Sequence, residues 1–286
     1  MRNALTFDVE EYFHAEVFAG VVPREQWVTL ESRVARATER LLALLAETGT
    51  RATFFVLGWV AERHPDLVRA IAAQGHEVAC HGYGHQMITR QSRGEFTEDI
   101  HRAKATVEDA AGVAVTGYRA PTFSVVRETL WSLEVLAENG FQYDSSIFPI
   151  VHDRYGIPDA PRFPHRQGAG RGIEITEFPL STVTRFGARF PVAGGGYFRL
   201  FPYAVTRWAM RQLNVREGQP AMVYLHPWEI DPGQPRLGVG RVAQFRHSVN
   251  TGSTAAKLRQ LLRDFAFAPV REVLATPGVM ASGSVA

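Results

Sequence analysis

The sequence predicts an α/β fold built on a mostly parallel sheet. Amphipathic segments alternate with short apolar runs, a glycine follows each of the first amphipathic segments, and the apolar runs have the length of strands. Strands that alternate with helices favour right-handed crossovers between parallel strands. The 286 residues can bury a sizeable core in one large domain or two smaller ones. We expect one α/β domain, either barrel-like or openly wound.

Four pairs of helix and strand come first along the chain. The four predicted helices end at Gly49, Gly75, Gly112 and Gly140. A glycine just past a helix is the usual C-terminal cap. The apolar runs that follow these glycines are RATFFVLG, HEVACHG, VAVTGYRA and FQYDSS. Later, GIEITEFPLS and PAMVYLH are typical of strands, and PYAVTRWAMRQLN between them is typical of a helix.

No stretch of the sequence clearly divides the chain into domains. Residues 157–171 are rich in proline and arginine and are predicted to form a loop. Residues 275–286 are small, bury little surface and are predicted to be a flexible tail. We therefore expect residues 1–274 to form a single domain.

Composition and charge argue against several classes of protein. The chain is 45% hydrophobic and 21% charged, with a formal net charge of +2 and scattered arginines, which argues against a nucleic-acid partner. No apolar stretch approaches the ~20 residues that span a bilayer. The single cysteine, Cys80, excludes an intramolecular disulfide and fits a reducing compartment. With no signal-peptide pattern at the N-terminus, we expect a cytoplasmic protein.

Each of five predicted strands ends in a polar residue that is unusual for a core. These residues are Asp8, His81, Arg119, Asp144 and His226. Parallel α/β architectures build their sites at the carboxyl ends of strands. We therefore expect these side chains to converge on one site.

Two histidines lie on one short turn, HGYGH. His81 and His85 are four residues apart, but Gly82 and Gly84 between them argue against a helix. Two neutral imidazoles suit zinc or a similar divalent ion, which in a catalytic site needs a third protein ligand and an open position. The alternative is a pair of turn histidines that hydrogen-bond to the backbone.

A carboxylate near the first strand is expected to be the third ligand. The sequence TFDVEEYF offers Asp8, Glu10 and Glu11. Alternate side chains of a strand share a face, so Asp8 and Glu10 converge and Glu11 diverges if the strand continues to Glu10. The alternative is that Glu10 and Glu11 form the solvated edge of a loop.

Five motifs resemble those of a known family. TFDVE, HGYGH, YRAPTF, YDSS and LHPWE occur in the order found in the polysaccharide deacetylases, carbohydrate esterase family 4, over roughly residues 3–230. HPWEID and GGGYFRL are similar to a bacterial subgroup found with exosortase-linked exopolysaccharide gene clusters. The resemblance implies a distorted (β/α) barrel, with one catalytic domain at 1–274 and a subgroup-specific part from about residue 160. It also implies metal-dependent removal of acetyl groups from N-acetylated sugars.

The resemblance implies a role for each motif residue. The commonest family pattern has two adjacent aspartates in the first motif; here Val9 stands at the second position, and the metal role passes to Glu10. The expected metal ligands are Glu10, His81 and His85, with zinc as the expected ion. The expected catalytic groups are Asp8 as base, Arg119 as its partner, Thr122 as backbone donor to the tetrahedral intermediate, and His226 as acid with its pKa raised by Asp144. The expected substrate contacts are Tyr83, Pro121, Tyr197 and Trp228.

The expected substrate is an N-acetylated glycan or, for a cytoplasmic enzyme, a lipid-linked or nucleotide-linked precursor. One alternative is a metal-dependent amidase or deformylase of the same superfamily that acts on a small amide. Release of acetate or of formate distinguishes the two. Another alternative is a glycan-binding protein with an inactive site, although every motif position holds a chemically competent residue. A homo-oligomer is possible on this sequence.

Overall fold

A computed structural model describes residues 1–170, 172–192 and 194–280 of the chain. In this part of the chain, nine strands form one sheet, and two further strands form a separate hairpin. The strands are β1 (Arg2–Val9), β2 (Thr53–Val56), β3 (Glu77–Cys80), β4 (Gly117–Tyr118), β5 (Tyr143–Asp144), β6 (His165–Gly168), β7 (Glu174–Glu177), β8 (Thr182–Arg185), β9 (Ala188–Pro191), β10 (Met222–Leu225) and β11 (Ala266–Ala268). The helices are α1 (Val34–Thr48), α2 (Gly58–Arg63), α3 (Pro65–Ala73), α4 (Arg93–Ala111), α5 (Trp131–Glu138), α6 (Gly195–Leu200), α7 (Tyr203–Arg211), α8 (Arg241–Ser248), α9 (Thr251–Asp264) and α10 (Val270–Leu274).

The sheet has the order β10-β1-β2-β3-β4-β5-β7-β6, and β11 pairs with the first residues of β1. The strand pairs are parallel, except that β6 runs antiparallel to β7. The predicted α/β class with a mostly parallel sheet is therefore confirmed. Since the order begins at β10 and ends at β6, the sheet does not close into a full barrel within the described residues. An open, distorted barrel is compatible with this topology.

Glycines end the helices where the sequence predicts. The helices α1, α3, α4 and α5 each end one or two residues before a glycine whose φ lies between 61° and 80°. A left-handed backbone costs little only for glycine, which explains why the chain turns back toward the sheet at these points.

Alternate side chains of β1 pack on the two opposite faces of the strand, in two different clusters. Leu5, Phe7 and Val9 pack in the larger core, beneath the helices. Ala4 packs in a smaller cluster on the opposite face of the strand, and Thr6 and Asp8 share that face because side chains alternate along a strand. This inner face leads to the polar groups at the strand ends.

The predicted loop at 157–171 needs correction, because it contains β6, which pairs with β7. The strand reads HRQG and lies at the edge of the sheet, so it shows no apolar pattern that would predict it. Arg171 lies outside the described residues. The predicted tail at 275–286 is described as far as residue 280, and residues 281–286 lie outside the described part. No helix in the described part is long and apolar enough to cross a membrane.

Candidate active site

Polar side chains from neighbouring strands meet at the carboxyl ends of β1, β3, β4 and β10. Arg119, after β4, donates to Asp8 of β1, and its carbonyl oxygen lies 2.8 Å from Nδ1 of His81, after β3. His226, after β10, lies with its Nε2 3.9 Å from Oδ2 of Asp8. The structure thus brings together four of the five predicted strand-end residues, because parallel strands share their carboxyl edge.

A possible metal site is formed by Glu10, His81 and His85. One ligand atom from each residue lies within 4.8 Å of the others. His81 Nδ1 donates to the Arg119 carbonyl oxygen, which leaves Nε2 free for an ion. Burial lowers the pKa of His81 to about 4, so its imidazole is neutral. Glu10 Oε2 lies 2.8 Å from His85 Nε2.

The carboxylate of Glu10 is ionised and fixed in place. Burial raises its pKa, but the electrostatic interaction and hydrogen bond with His85, together with the charge of His226, outweigh burial and hold the pKa well below its usual range. The indole N–H of Trp228 donates to Oε1 of Glu10 at 3.1 Å. A carboxylate and two imidazoles that converge in this way fit a divalent ion such as zinc.

The HGYGH turn is not helical, as its glycines predict. Gly82 has a φ of 74° and His85 a φ of 49°. A side chain at Gly82 would bring its Cβ to 3.1 Å from Oδ2 of Asp99, which accepts the Tyr83 N–H at 3.0 Å. The turn therefore needs glycine there to swing His85 back toward His81.

Glu10 and Glu11 point in different directions. Glu11 accepts hydrogen bonds from the Ser32 hydroxyl at 2.5 Å and from the Arg33 N–H at 3.0 Å, just before α1. Glu10 is 1% exposed and Glu11 0%, so the alternative of a solvated loop edge is wrong. The alternation of side chains along the strand continues past its last residue.

Asp8 is held by a buried arginine. Arg119 Nη1 donates to Oδ1 of Asp8 and to the Thr6 hydroxyl, both at 2.7 Å. Its other nitrogens donate to the carbonyl oxygen and the hydroxyl of Ser145, and its guanidinium lies 4.1 Å from the ring centre of Phe55. The arginine fixes one oxygen of Asp8 and leaves the other, Oδ2, facing His226.

The carboxylate beside His226 is Glu229, which corrects the prediction of Asp144. Glu229 Oε1 lies 2.8 Å from His226 Nδ1. Asp144 is engaged elsewhere: its Oδ1 accepts the Ser146 hydroxyl at 2.5 Å, and its side chain bonds to Glu177. Burial lowers the pKa of His226, but the hydrogen bond to Glu229 and the charges of Glu10, Glu229 and Asp8 raise it to about 9.

Glu229 is itself held by a buried ion pair that sequence reasoning missed. Arg199 Nε donates to Oε2 of Glu229 at 2.6 Å. The same guanidinium donates to backbone carbonyl oxygens at the end of α8. Trp228 stacks between His226 and His247, with ring centres 4.8 and 4.3 Å apart. An acid three residues after His226, in HPWE, was the available signal.

A cavity of about 280 Å³ opens beside these groups. Thr122, Tyr155, Trp228 and Arg246 are among its lining residues. Thr122 has a φ of 56° on the short turn Pro121–Phe123, which begins two residues after Arg119. The cavity therefore adjoins Trp228, which bonds to Glu10, and Arg199, which bonds to Glu229.

The predicted substrate contacts are distributed unevenly around this cavity. Trp228 lines the cavity, but its indole N–H donates a hydrogen bond to Glu10. Pro121 is buried in the adjacent turn, and Tyr197 is half-buried. Tyr83 lines a different cavity, because its hydroxyl is held by Glu62 and Arg102.

Two family profiles match the chain. The profile described as polysaccharide deacetylase matches residues 20–143, and a domain of unknown function (DUF3473) matches residues 145–275. The peptidoglycan-N-acetylglucosamine deacetylase of Bacillus cereus is 31% identical over 98 residues, which are 34% of this chain and 36% of that protein. The chitooligosaccharide deacetylase of Rhizobium leguminosarum bv. trifolii is 37% identical over 103 residues, which are 36% of this chain and 45% of that protein. The matches thus span less than half the length of these relatives.

A solved structure shares the fold over nearly the whole chain. The structure described as a polysaccharide deacetylase from Mycobacterium smegmatis has a TM-score of 0.62 and 23% identity, and covers 94% of this chain and 87% of that one. The chain therefore carries, at residues 20–143, a segment that matches the polysaccharide deacetylase family, and it shares its fold with the solved structure.

Proposed function

We propose that this protein is a metal-dependent hydrolase that removes N-acetyl groups from an N-acetylated glycan or from its biosynthetic precursor. The observation that carries the proposal is the convergence of Glu10, His81 and His85 beside Asp8 and His226. The similar relatives are named as deacetylases of peptidoglycan or chitooligosaccharides, which supports the same reaction.

The metal in this proposal is zinc. Glu10, through Oε2, and the Nε2 atoms of His81 and His85 would hold it, since one imidazole is fixed by its Nδ1 and the carboxylate is ionised. A bound divalent ion polarises an amide carbonyl and lowers the pKa of a water molecule toward ~7.

The remaining groups divide the proton transfers between them. Asp8 Oδ2 accepts a proton from the attacking water while Arg119 holds Oδ1. The backbone N–H of Thr122 donates to the oxygen that becomes negative, a contribution of about 3 kcal/mol. His226 Nε2 donates its proton to the leaving nitrogen as the C–N bond breaks, which releases acetate and an amine. Glu229 holds His226 by its other nitrogen.

The substrate-binding part of the proposal rests on the cavity beside Thr122. Pro121, Tyr197 and Trp228 lie in or next to the segments that form it. His226 and His247 cover the faces of Trp228, so Tyr197 is the ring that offers a face to a sugar ring. We exclude Tyr83 from this role, because it lines a different cavity.

We further propose that residues 1–274 act as one catalytic unit of the exosortase-associated subgroup, with an added part from about residue 160. Strands of that part pair with the others: β10 with β1, and β7 with β5. Action on a cytoplasmic lipid-linked or nucleotide-linked precursor belongs to the same proposal. Finding the native protein in an extracytoplasmic fraction would contradict it.

The test is an acetate-release assay on N-acetylated oligosaccharides of increasing length, with metal-stripped and zinc-reconstituted protein and formate measured in parallel. We expect acetate release only after reconstitution. His81→Ala should lose the metal, whereas Asp8→Asn should keep it and lose activity by about 10²–10⁴-fold. The exposed Asp66→Asn is the matched control.

Three outcomes would change the proposal. Metal loss in Asp8→Asn would mean that the two carboxylates exchange roles. Formate release from a small amide, without any effect of chain length, would favour the amidase alternative. A zinc-loaded protein that releases neither acid would point to a glycan-binding protein.

A further inference from the structure

An exposed face of α7, the turn after it and the neighbouring hairpin combines arginine with large apolar side chains. We call it the arginine–aromatic face. Its members are Arg185, Phe186, Val205, Arg207, Trp208, Arg211, Val215 and Arg216. An open groove of about 710 Å³ runs along the helix and includes five of these residues and Gln260 of α9 in its lining. None of the strand-end groups of the candidate active site lines this groove.

The apolar members of this face are unusually exposed. Phe186 is 90% exposed, Val215 79% and Trp208 39%. On α7 and the turn that continues it, Val205, Trp208 and Val215 recur at intervals of three and seven residues, which places them along one stripe. Scattered exposed apolar residues are ordinary, whereas a continuous group of them marks an interaction site.

The hairpin tip is joined to this stripe. The guanidinium of Arg185 lies 5.6 Å from the ring centre of Trp208, so the tip of β8 and β9 borders α7. Phe186 and Gly187 form the two-residue turn, with φ values of 53° and 77°. Asparagine and glycine are favoured at such positions, so a bulky phenylalanine there costs stability and leaves its ring in solvent.

The charge of this face is not neutralised locally. Arg207 pairs with Asp264 at 3.4 Å, and the nearby Glu217 pairs with Arg162 at 2.7 Å. Among the described residues, no carboxylate forms an ion pair with Arg185, Arg211 or Arg216. Three positive charges therefore remain beside the apolar stripe, although the net charge of the whole chain is only +2.

We propose that the arginine–aromatic face binds the surface of an anionic lipid bilayer. Arginines keep their charged groups at the headgroup level while their stems lie on apolar surface, and phenylalanine and tryptophan enter the interface. Anionic headgroups complement the three unpaired arginines. A soluble anionic glycan would use the charges but would leave Phe186 and Val215 in water, so the bilayer explains more of the observations. This inference is independent of the proposed deacetylase reaction.

The test uses the full chain and two kinds of vesicle, one of phosphatidylcholine alone and one with 30% phosphatidylglycerol. We expect co-sedimentation with the anionic vesicles only, weaker binding at 0.5 M salt than at 0.1 M, and a blue shift of tryptophan fluorescence that Trp208→Phe removes. No binding to anionic vesicles, or equal binding to both kinds, would overturn the proposal.

Variants locate the surface. Arg211→Glu combined with Arg216→Glu should weaken vesicle binding by about 25-fold or more, at about fivefold for each arginine lost. Phe186→Ser should weaken it by about tenfold, because one large apolar side chain no longer enters the interface. The matched controls are Arg69→Glu and Val113→Ser, at exposed positions of other helices and loops. Controls that lose binding as strongly would mean that the face is not the site.

Two further measurements distinguish the bilayer from the other partners that this face could bind. Far-UV circular dichroism and acetate release from a soluble oligosaccharide should be the same in all these variants. Tighter binding to a soluble polyanion, such as alginate, than to vesicles would indicate that the partner of this face is a glycan and not a bilayer. If light scattering shows a dimer that Phe186→Ser disrupts, the partner of this face is a second copy of the chain.

Discussion

Glu229 and Arg199 hold the ring of His226 from the side opposite Asp8. One nitrogen of the ring bonds to Glu229, and the other lies 3.7 Å from Glu10 and 3.9 Å from Asp8. Arg199 in turn neutralises Glu229 without exposing either group to water. Each ring nitrogen therefore has a defined role, which an acid that must deliver its proton in one direction requires.

Changing Glu229 tests this arrangement. Glu229→Gln should lower kcat by about 10–100-fold while KM changes less than twofold, because the ring loses the charge that holds it. Zinc content should stay the same, since Glu229 is not among the ligands. Acetate-release kinetics with metal analysis measure both, and Glu229→Asp should restore part of the activity. Glu62→Gln, a surface carboxylate, serves as control; unchanged kcat in Glu229→Gln would contradict the role.

Trp228 contacts the proposed metal site through its indole N–H, which donates to Glu10. Trp228→Phe keeps a ring between His226 and His247 but removes the hydrogen bond to Glu10. Outer partners of metal ligands typically contribute 10–100-fold in affinity, so we expect the zinc Kd to rise by about tenfold. Competition with a chelator measures the Kd, and Trp131→Phe is the control. A Kd within twofold of the wild type would show that the hydrogen bond does not tune the site.

At the site, the sequence predicts those orientations that follow from the alternation of side chains along a strand. It separates Glu10 from Glu11, because the period of two is local to one strand. It does not predict Glu229 as the partner of His226. That contact depends on a short turn after Pro227 and on Arg199, 30 residues earlier in the chain. The motif resemblance pointed to Asp144 instead, whose side chain is committed to Glu177.

At the scale of elements, helices were easier to predict than the later strands. Glycine caps and amphipathic periodicity mark α1, α3, α4 and α5 in the sequence itself. The edge strand β6 and the hairpin of β8 and β9 carry polar or arginine-rich sequences, so burial does not impose a pattern on them. Their pairing is decided by neighbours that are remote in sequence, such as β7 for β6.

The ends of β5 and β7 bring two buried carboxyl groups together. Asp144 and Glu177 are register partners, and their side chains bond to each other. Asp144 Oδ2 and Glu177 Oε2 have no other partner in the described part of the chain, so one shared proton satisfies both. Burial raises the pKa of Asp144 to about 6, and burial together with the charge of Asp144 raises that of Glu177 well above its usual value.

The carboxyl pair of Asp144 and Glu177 should make the free energy of unfolding fall as pH rises. The folded chain binds protons on this pair more tightly than the unfolded chain, so the stabilisation is complete below about pH 4. It is lost as pH rises through about 6, the pKa of Asp144, and on through the higher pKa of Glu177. Between pH 4 and pH 8 we expect a loss on the order of 2 kcal/mol in the free energy of unfolding. Glu177→Gln should reduce this dependence, because an amide donates to Asp144 without titrating. Urea unfolding at several pH values measures how the free energy of unfolding depends on pH, and Glu128→Gln is the control. If Glu177→Gln leaves this dependence unchanged, the two groups do not share a proton.

At the scale of the whole molecule, the site spans both matched segments of the chain. Asp8 and Glu10 precede residues 20–143, His81 and His85 lie within them, and His226 lies within 145–275. The central strand β1 pairs with β10 on one side and with β2 on the other. A buried ion pair of 2.6 Å between Arg33 and Asp231 adds a further connection. The two segments therefore share one sheet and one site.

This shared sheet predicts a single unfolding transition that zinc shifts as a whole. Removing either segment would expose β1, so tryptophan fluorescence and far-UV circular dichroism should give the same midpoint. Zinc at 100 times its Kd should stabilise the folded chain by about 2.7 kcal/mol, which raises the midpoint by about 5 °C. His81→Ala should unfold in one transition that zinc does not shift. Two separate midpoints would mean that the segments fold independently, and an equal zinc shift in His81→Ala would place the ion elsewhere.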